Sequence, residues 1–518
     1  MKSSSTNPGL SKFYGVDPVG GDPIGAEYSD ARLRDIDSAL SEAASAAERL
    51  RLCTGEELEA LMEAIAACLE EGRDEIVRTC QAETGYPPER VAGEFGRMVD
   101  GMRLFGRVAE RGDWLDVRID HGDPARDPLP KPDLRRMQVP IGPVVVFGAS
   151  NFPLALSVGG SDVASALAAG CPVVAKGHPS HPGTSELLAA AILDGVSRAG
   201  FPAGTFAMVQ GVSNEVGQAL VEHPEVRAVA FTGSLAGGRA IFDLAARREV
   251  PVPVYAEMGS VNPQLVLPEL LATDAAGFAN RLFAAATMGN GQFCTNPGLV
   301  FTLGAAADFL KAYCAEVDAY QGAPMLNAGI AEAFRRGVDR WRDIPGLAIL
   351  AEGAVRCGAA VAAAGVVARI KFEDFMQSAP LFQEEVFGPG TVVIECQRND
   401  ELMLAMRTFG GQLGASLHGT EGDLASDEAR SLLSQLSSFA GRVLVNGFPT
   451  GLETCHALQH GGPYPATTDP HWTSVGTAAI ERFGRPLAFQ NVPDELLPEA
   501  LKEANPLGLR RLVDGEWR

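Results

Sequence analysis

One cysteine and one glutamate have local sequences suited to covalent chemistry. Cys294 lies in the stretch GNGQFCT (289–295), whose small residues leave a substrate carbon room to approach the sulfur. Glu257 lies in YAEMG (255–259) and offers a carboxylate that can act as a base. Because an activated cysteine is a strong nucleophile, the pair indicates a route through a thioester. The alternative is that Cys294 is a buried and inert core residue, which is the common role of a free cysteine.

The size and charge of the chain restrict the kinds of protein it can be. Its 518 residues exceed what one hydrophobic core can organise, so we expect at least two domains. It has 43 basic and 65 acidic residues, and its formal net charge is −22. That charge argues against nonspecific binding to nucleic acid or to an anionic membrane, but it says little about a small-molecule substrate, because local charge in a cleft can oppose it.

The cysteine and histidine patterns predict a reduced, metal-free protein. The nine cysteines are scattered without a CxxC pair, which is typical of the cytosol. The N-terminus is polar, without the apolar core of a signal peptide, and no apolar run is long enough to span a membrane. His456 and His460 lie four residues apart, but no carboxylate or thiol partner is evident for them. We therefore predict a cytoplasmic protein with no metal site.

Two regions alternate between strand and helix patterns. Residues 29–110 have helical periodicity, beginning with 29–52, and a polar, proline-rich segment at 122–133 follows. Short apolar runs at 144–147, 173–176, 206–209, 226–231 and 252–256 then alternate with helical stretches, which predicts a parallel, doubly wound sheet. A second alternating region covers about 260–460, with strands predicted at 298–303, 391–396 and 442–446. From about 475 the pattern indicates an extended arm.

Three polar features follow the strands of the first predicted sheet, where ligands of such sheets bind. Asn151 follows the first strand, and its amide can donate to an oxyanion or cap a helix. Lys176 ends the second strand, where it can reach a ribose or phosphate or simply be solvated. After the fourth strand, the glycines of FTGSLAGG (231–238) can let a helix N-terminus approach a phosphate or form a structural turn.

Six motifs together resemble the aldehyde dehydrogenase superfamily. In order they are Asn-Phe-Pro, a lysine at a strand end, Gly-Ser-x-x-x-Gly, Glu-x-Gly, Gly-Gln-x-Cys and Glu-Glu-Val-Phe-Gly-Pro at 384–389. The resemblance implies that Cys294 is the nucleophile, that Glu257 is the general base, and that Asn151 and the Cys294 amide hold the oxyanion. It implies cofactor contacts from Lys176, Gly233, Ser234, Gly238, Glu385 and Phe387. It also places Phe152, Phe293 and Asn446 near the substrate.

Within the superfamily, two stretches resemble a particular subgroup. FGASNFP (147–153) and HGGPYPATT (460–468) are similar to α-ketoglutarate semialdehyde (2,5-dioxovalerate) dehydrogenases and to an NADP-linked fatty aldehyde dehydrogenase. This likeness implies oxidation of 2,5-dioxovalerate to 2-oxoglutarate. Pro179 stands where many NAD-specific members have a glutamate that excludes a 2′-phosphate, so the resemblance allows NADP or NAD. The alternatives are a long-chain or other aldehyde substrate, a relative that passes the acyl group to coenzyme A, and a silent binding protein.

The resemblance also implies an architecture and an assembly. We expect two doubly wound Rossmann-type domains and an oligomerisation arm. Residues 1–115 and 142–257 would form the cofactor-binding domain, 258–465 the catalytic domain, and 116–141 with 466–518 the arm. A strand arm leaves unpaired edges, and we therefore expect a homodimer or homotetramer.

Overall fold

Two sheets covered by helices on both faces and a third, smaller sheet make up the fold. The computed structural model describes residues 11–518, so the first ten residues of the polar N-terminal segment, and of the domain expected to begin at residue 1, lie outside it. The α-helices are α1 Leu33–Leu50, α2 Gly55–Glu71, α3 Arg73–Thr84, α4 Pro88–Arg111, α5 Ser161–Ala168, α6 Pro182–Arg198, α7 Asn214–Glu222, α8 Leu235–Ala246, α9 Pro268–Ala286, α10 Ala307–Ala319, α11 Ala328–Arg342, α12 Phe372–Ser378, α13 Asn399–Met406, α14 Glu421–Leu424 and α15 Asp427–Ser437.

The strands follow the same chain order. They are β1 Lys12–Val16, β2 Pro23–Ser29, β3 Arg118–Asp120, β4 Leu134–Pro140, β5 Val144–Phe147, β6 Val173–Lys176, β7 Phe206–Val209, β8 Ala228–Thr232, β9 Val254–Glu257, β10 Gln264–Val266, β11 Leu299–Leu303, β12 Ala323–Pro324, β13 Ala348–Glu352, β14 Ala362–Ala363, β15 Val366–Lys371, β16 Gly390–Cys396, β17 Gln412–His418, β18 Ala440–Val445, β19 Gly484–Gln490, β20 Leu512–Val513 and β21 Glu516–Trp517.

The first sheet is the predicted doubly wound sheet. Its five strands run parallel in the order β7-β6-β5-β8-β9. Helices α2, α4, α5 and α6 pack on one face, and α1, α7 and α8 pack on the other. Strand β5 is buried along its whole length, which explains its unbroken run of valines. Strand order reverses between β5 and β8, and a crevice for ligands opens at such a point.

The second sheet is also mostly parallel and covered on both faces. Its order is β13-β15-β16-β11-β10-β17-β18, and every neighbouring pair is parallel except β13 with β15. Separate apolar cores cover its two faces. The three strands predicted at 298–303, 391–396 and 442–446 are present as β11, β16 and β18. The prediction of two doubly wound sheets is therefore confirmed.

The third sheet joins the polar excursion to the C-terminal segment. Its order is β19-β4-β3-β20-β21, and β19 pairs antiparallel with β4 from Gly484↔Pro140 to Gln490↔Leu134. Residues 466–483, which the sequence assigned to the arm, instead lie against the first sheet. Thr468 donates its backbone N–H to Ala256, and Ile480 and Phe483 are buried in the core of that sheet.

Candidate active site

The loops that follow β5, β8 and β9 converge with the turn that carries Cys294. Asn151 follows β5, Ser234 follows β8, and Glu257 is the last residue of β9. Parallel strands end at one edge of their sheet, so these side chains share that edge. Cys294 comes from the second half of the chain, in the turn between α9 and β11. The site therefore lies where the two large sheets meet.

The turn before Cys294 has an unusual backbone that is tightly held. Gly289, Asn290 and Gly291 all have positive φ, at 57°, 57° and 71°. Glycine and asparagine tolerate this conformation best. A Cβ on Gly291 would lie 2.2 Å from the carbonyl of Gly388, so no larger residue fits there. The Asn290 amide donates to two backbone carbonyls from β12 and β14, which anchors the turn.

Cys294, Glu257 and His460 form one cluster. The sulfur, a carboxylate oxygen and a ring nitrogen all lie within 4.8 Å of one another. His460 Nδ1 is 2.8 Å from Glu257 Oε2, although the ring N–H is not aligned as a hydrogen-bond donor to it. Ser474 also donates its hydroxyl to Glu257 Oε2. Glu257 and His460 are both only 3% exposed, so the carboxylate and the imidazole are almost completely shielded from water.

This cluster corrects the sequence analysis on His460. The sequence showed no carboxylate or thiol partner for it, and that expectation was wrong, because Glu257 and Cys294 contribute one of each. His460 and His456 also do not share a helical face, since residues 451–476 contain no α-helix. Three donor groups of types that bind metals do lie together here. They are also the groups best placed for thiol chemistry.

The protonation states in the cluster follow from burial and from close charges. Burial, and then the charges of Glu257 and Glu385, raise the pKa of the Cys294 thiol well above its ordinary value, and its own backbone amide opposes this only in part. Burial alone would raise the pKa of Glu257 as well, but the neighbouring His460, Ser474 and Cys294 outweigh it and lower that pKa. The resting pair is therefore a neutral thiol close to a carboxylate.

Asn151 is held directly beside this turn. Its side-chain Nδ2 donates to the carbonyl of Gln292 at 3.0 Å, two residues before the nucleophile. Its own carbonyl accepts from Arg90 Nη2 at 2.9 Å and from the Tyr86 hydroxyl at 3.2 Å. An amide NH₂ carries two hydrogens, so a second donor remains on Nδ2. Asn151 is 7% exposed and fixed from both ends.

A cavity of about 680 Å³ leads to Cys294 and His460. Phe152 and Phe293 line it and pack edge to face, with their ring centroids 5.0 Å apart. Both line the cavity that leads to Cys294, and their contact with substrate stays a prediction. Asn446 does not line this cavity. Its side chain donates to and accepts from the backbone of Gly419, and it faces a neighbouring cavity.

The proposed cofactor residues of the first sheet lie at its carboxyl edge. Ser234 caps the 12-residue helix α8 by accepting from the N–H of Gly237, and Gly233 and Ser234 are exposed at that open helix end. A Cβ on Gly238 would lie 2.7 Å from Met258, so glycine there lets α8 sit close to β9. An open helix N-terminus favours a phosphate.

Lys176 is half-buried at the end of β6, and its Nζ lies 2.5 Å from the carbonyl of Gly211. Burial, opposed by the charge of Asp30, lowers its pKa to about 8.

Glu385 approaches from the second sheet. A Cβ on Gly259 would lie 2.4 Å from Glu385 Oε2, so the carboxyl group lies against the turn after Glu257. Burial, helped by the charge of Glu257, raises the pKa of Glu385 to about 8. Its Oε1 is buried without a hydrogen-bond partner in residues 11–518. Phe387 lines the same small cleft. An acceptor without a donor fits a ribose hydroxyl of a dinucleotide.

Comparison with known proteins agrees with this site. The model of the aldehyde dehydrogenase family matches residues 6–463. An enzyme named α-ketoglutaric semialdehyde dehydrogenase 2, from Azospirillum brasilense, is 45% identical over 503 residues, covering 96% of this chain and 95% of its own. An α-ketoglutaric semialdehyde dehydrogenase from Acinetobacter baylyi is 42% identical, covering 95% and 93%.

The fold is also found among solved structures. Betaine aldehyde dehydrogenase from Staphylococcus aureus, in complex with NAD+, superposes with a TM-score of 0.79 at 19% identity, covering 94% of this chain and 96% of that one.

The chain belongs to the aldehyde dehydrogenase family. It is an NAD(P)-dependent enzyme that oxidises an aldehyde to a carboxylate. No helix within residues 11–518 has the length and apolar character needed to cross a membrane.

Proposed function

We propose that the chain oxidises 2,5-dioxovalerate to 2-oxoglutarate through a thioester on Cys294. The observation that carries the chemistry is the buried cluster of Cys294, Glu257 and His460 at the end of a cavity. The substrate rests on the two relatives above, whose names specify that semialdehyde and which match nearly the whole chain.

The first step is attack by sulfur on the aldehyde carbon. The Cys294 thiol is neutral at rest, so its proton passes to the neighbouring carboxylate of Glu257 as the S–C bond forms. The developing oxyanion is held by Nδ2 of Asn151 and the backbone amide of Cys294. Removing such a donor typically costs about 10²–10³ in rate.

The second step releases the acid. When bound, NAD or NADP supplies the acceptor for the hydride that leaves the substrate carbon. Glu257 first gives the proton taken from the thiol to solvent and is again a carboxylate. It then removes a proton from water, and the resulting hydroxide attacks the thioester and frees the Cys294 sulfur as a thiolate. His460 and Ser474 keep Glu257 ionised and oriented for this work. Hydrolysis by a dedicated base favours a free acid product over transfer to coenzyme A.

The cofactor residues divide between the two large sheets. Gly233, Ser234 and Gly238 would hold the phosphates at the start of α8, and Glu385 with Phe387 would hold the ribose nearest the reacting carbon. Lys176 would meet the other ribose. Pro179 adds no negative charge near it, so a 2′-phosphate is not repelled, and NADP serves as well as NAD.

The assembly we propose is a homodimer or homotetramer in the cytoplasm. Residues 1–115 and 142–257 would form the cofactor domain, 258–465 the catalytic domain, and 116–141 with the C-terminal segment the arm. Since residues 466–483 lie on the first sheet, we infer that the second part of the arm starts at Gly484.

Replacing the nucleophile tests the proposal. We expect Cys294→Ser to abolish turnover of 2,5-dioxovalerate with either cofactor, because serine lacks the nucleophilicity of sulfur. Binding of NADPH, followed by fluorescence, should stay nearly intact. Cys455→Ser is the matched control, because it makes the same atom change outside the cluster. Substantial turnover by purified Cys294→Ser would show that Cys294 is not the nucleophile.

A further inference from the structure

The cavity that reaches Cys294 contains a guanidinium with one free edge. Arg90 comes from the first turn of α4, and its side chain lines the cavity. The Tyr86 ring stacks on it with 3.5 Å from Cζ to the ring centroid, and the centroids of Phe293 and Phe152 lie at 5.0 and 5.5 Å. Nη2 donates to the carbonyl of Asn151. Nη1 is buried and has no hydrogen-bond partner within residues 11–518.

A guanidinium in an aromatic box needs an anion or acceptor, because a buried donor left unpaired is costly. The nearest buried acid on the same helix, Glu94, does not supply it. Its Oε1 accepts the N–H groups of Leu154 and Ala155. Burial raises the pKa of Glu94 despite those two bonds and the nearby arginines.

The turn of the nucleophile is shaped to admit this guanidinium. A Cβ on Gly289 would lie 2.0 Å from Arg90 Nη1 and 2.8 Å from Phe293, so any side chain there would displace one of them. The absence of a side chain at residue 289 therefore brings Nη1 against the same turn that carries Cys294. Arg90 and Cys294 line the same cavity, so a substrate bound at the sulfur shares that space with the Arg90 side chain.

We propose that Arg90 is a specificity-determining residue that binds the distal carboxylate of an ω-oxo acid whose aldehyde carbon lies at Cys294. This inference rests on the proposed function and deepens it. The planar guanidinium is fixed by Tyr86 and by Asn151, so it presents Nη1 without further loss of side-chain freedom. Arg97 lies two turns further along α4, is exposed, and adds positive charge to the lining of the same cavity.

The binding is local, since the chain as a whole carries a net charge of −22 and repels acids. A neutral aldehyde of the same length gains nothing from Arg90 beyond apolar contact with Phe152 and Phe293. Charged hydrogen bonds of this type are worth about 10- to 150-fold in affinity. The enzyme should prefer a five-carbon ω-oxo acid to pentanal by a factor in that range.

The test compares Arg90→Gln with the wild-type enzyme on two aldehydes, 2,5-dioxovalerate and pentanal. We expect the ratio of their kcat/KM values to fall about 10- to 150-fold, mainly through KM of the acid. Arg107→Gln makes the same change on an exposed position of α4 and should leave the ratio unchanged. Tyr86→Phe removes the other donor to Asn151 but keeps the ring, and it too should leave the ratio unchanged.

Equal losses on both aldehydes in Arg90→Gln would overturn the inference and make Arg90 only a support for Asn151. A wild-type enzyme that shows no preference for the acid over pentanal would also overturn it. Calorimetric binding of 2-oxoglutarate gives a readout without turnover, and Arg90→Gln should weaken it by a similar factor. If the wild-type enzyme oxidises neither aldehyde, the proposed function fails, and this binding result alone supports or overturns the role of Arg90.

Discussion

The carboxylate of Glu257 has two tasks open to it, because it contacts the thiol in the resting enzyme and faces the position of a thioester afterwards. Its contact with Cys294 suits proton removal from sulfur. Its low pKa keeps it ready to accept a proton from water. The two tasks fall in different steps of the reaction, so kinetics can separate them.

We expect Glu257→Gln to slow thioester hydrolysis more than the step that first reduces the cofactor. The amide keeps the size of the side chain but cannot take a proton from water. Rapid mixing with NADP+ and aldehyde should therefore show a burst of reduced cofactor followed by a steady rate at least about 100-fold below that of the wild type. Loss of the burst with unchanged cofactor affinity would instead assign Glu257 to thiol activation.

At the residue scale, the sequence predicts the members of short motifs and misses their distant partners. Cys294, Glu257 and Asn151 each lie in a recognisable local pattern, and the structure brings their segments together. The partners of Glu257 come from far along the chain, since Ser474 is 217 residues away. Arg90 lies in the polar first turn of α4, where an arginine is common. Nothing in the sequence therefore indicates that its Nη1 lacks a hydrogen-bond partner within residues 11–518. Asn446 matched a motif, yet its amide is bonded to Gly419 instead.

At the scale of elements, strand ends determine which groups face a cofactor. The apolar runs locate all five strands of the first sheet, but the fifth begins at Val254 rather than at residue 252. Pro251 and Pro253 have no backbone N–H to donate, which fits the later start of this edge strand. The first helix likewise begins at Leu33 rather than at residue 29, because Ser29 belongs to the hairpin of β1 and β2.

The sequence did not predict strand β17, because its fully buried segment contains polar residues.

The strand-end Lys176 predicts how cofactor choice varies with pH. Its pKa is lowered to about 8, so the ammonium is charged below that pH and becomes neutral above it. Since only the charged form attracts a 2′-phosphate, affinity for NADPH should fall by up to about tenfold between about pH 7 and pH 9, while affinity for NADH changes less. Fluorescence titrations at the two pH values measure this directly.

Lys176→Met is the matched control for that titration. It should bind NADPH more weakly and without the change between the two pH values. If the ratio of NADPH to NADH affinity in the wild-type enzyme is the same at both, Lys176 does not contribute its charge to the 2′-phosphate.

At the scale of the whole molecule, β18 and β19 are edge strands of the second and third sheets in residues 11–518. Strand β18 forms one edge of the second sheet, and Val445 at its end is 49% exposed. Strand β19 forms an edge of the third sheet and is mostly exposed along its length. Open edges of this kind bind other strands unless they are covered. A partner chain that joined its β19 to β18 would cover both.

We therefore expect a particle of two or four chains. Light scattering coupled to gel filtration at micromolar concentration should give about 109 or 218 kDa, as multiples of the 54.5 kDa chain. The mass should not change with moderate salt, because backbone pairing and apolar contacts respond weakly to it. A mass near that of one chain would contradict this expectation. The proposed domain bounds stay predictions until such measurements are made.

The contacts of Glu257 with His460 and Ser474 also bear on how the enzyme is made. A growing polypeptide that has left the ribosome as far as Cys294 already carries nucleophile, oxyanion donor and base. The segment that charges and orients the base follows only when synthesis is nearly complete. Until then Glu257 lacks the two side chains that hold it beside the thiol. The last segment to be synthesised is therefore the one that completes the active site.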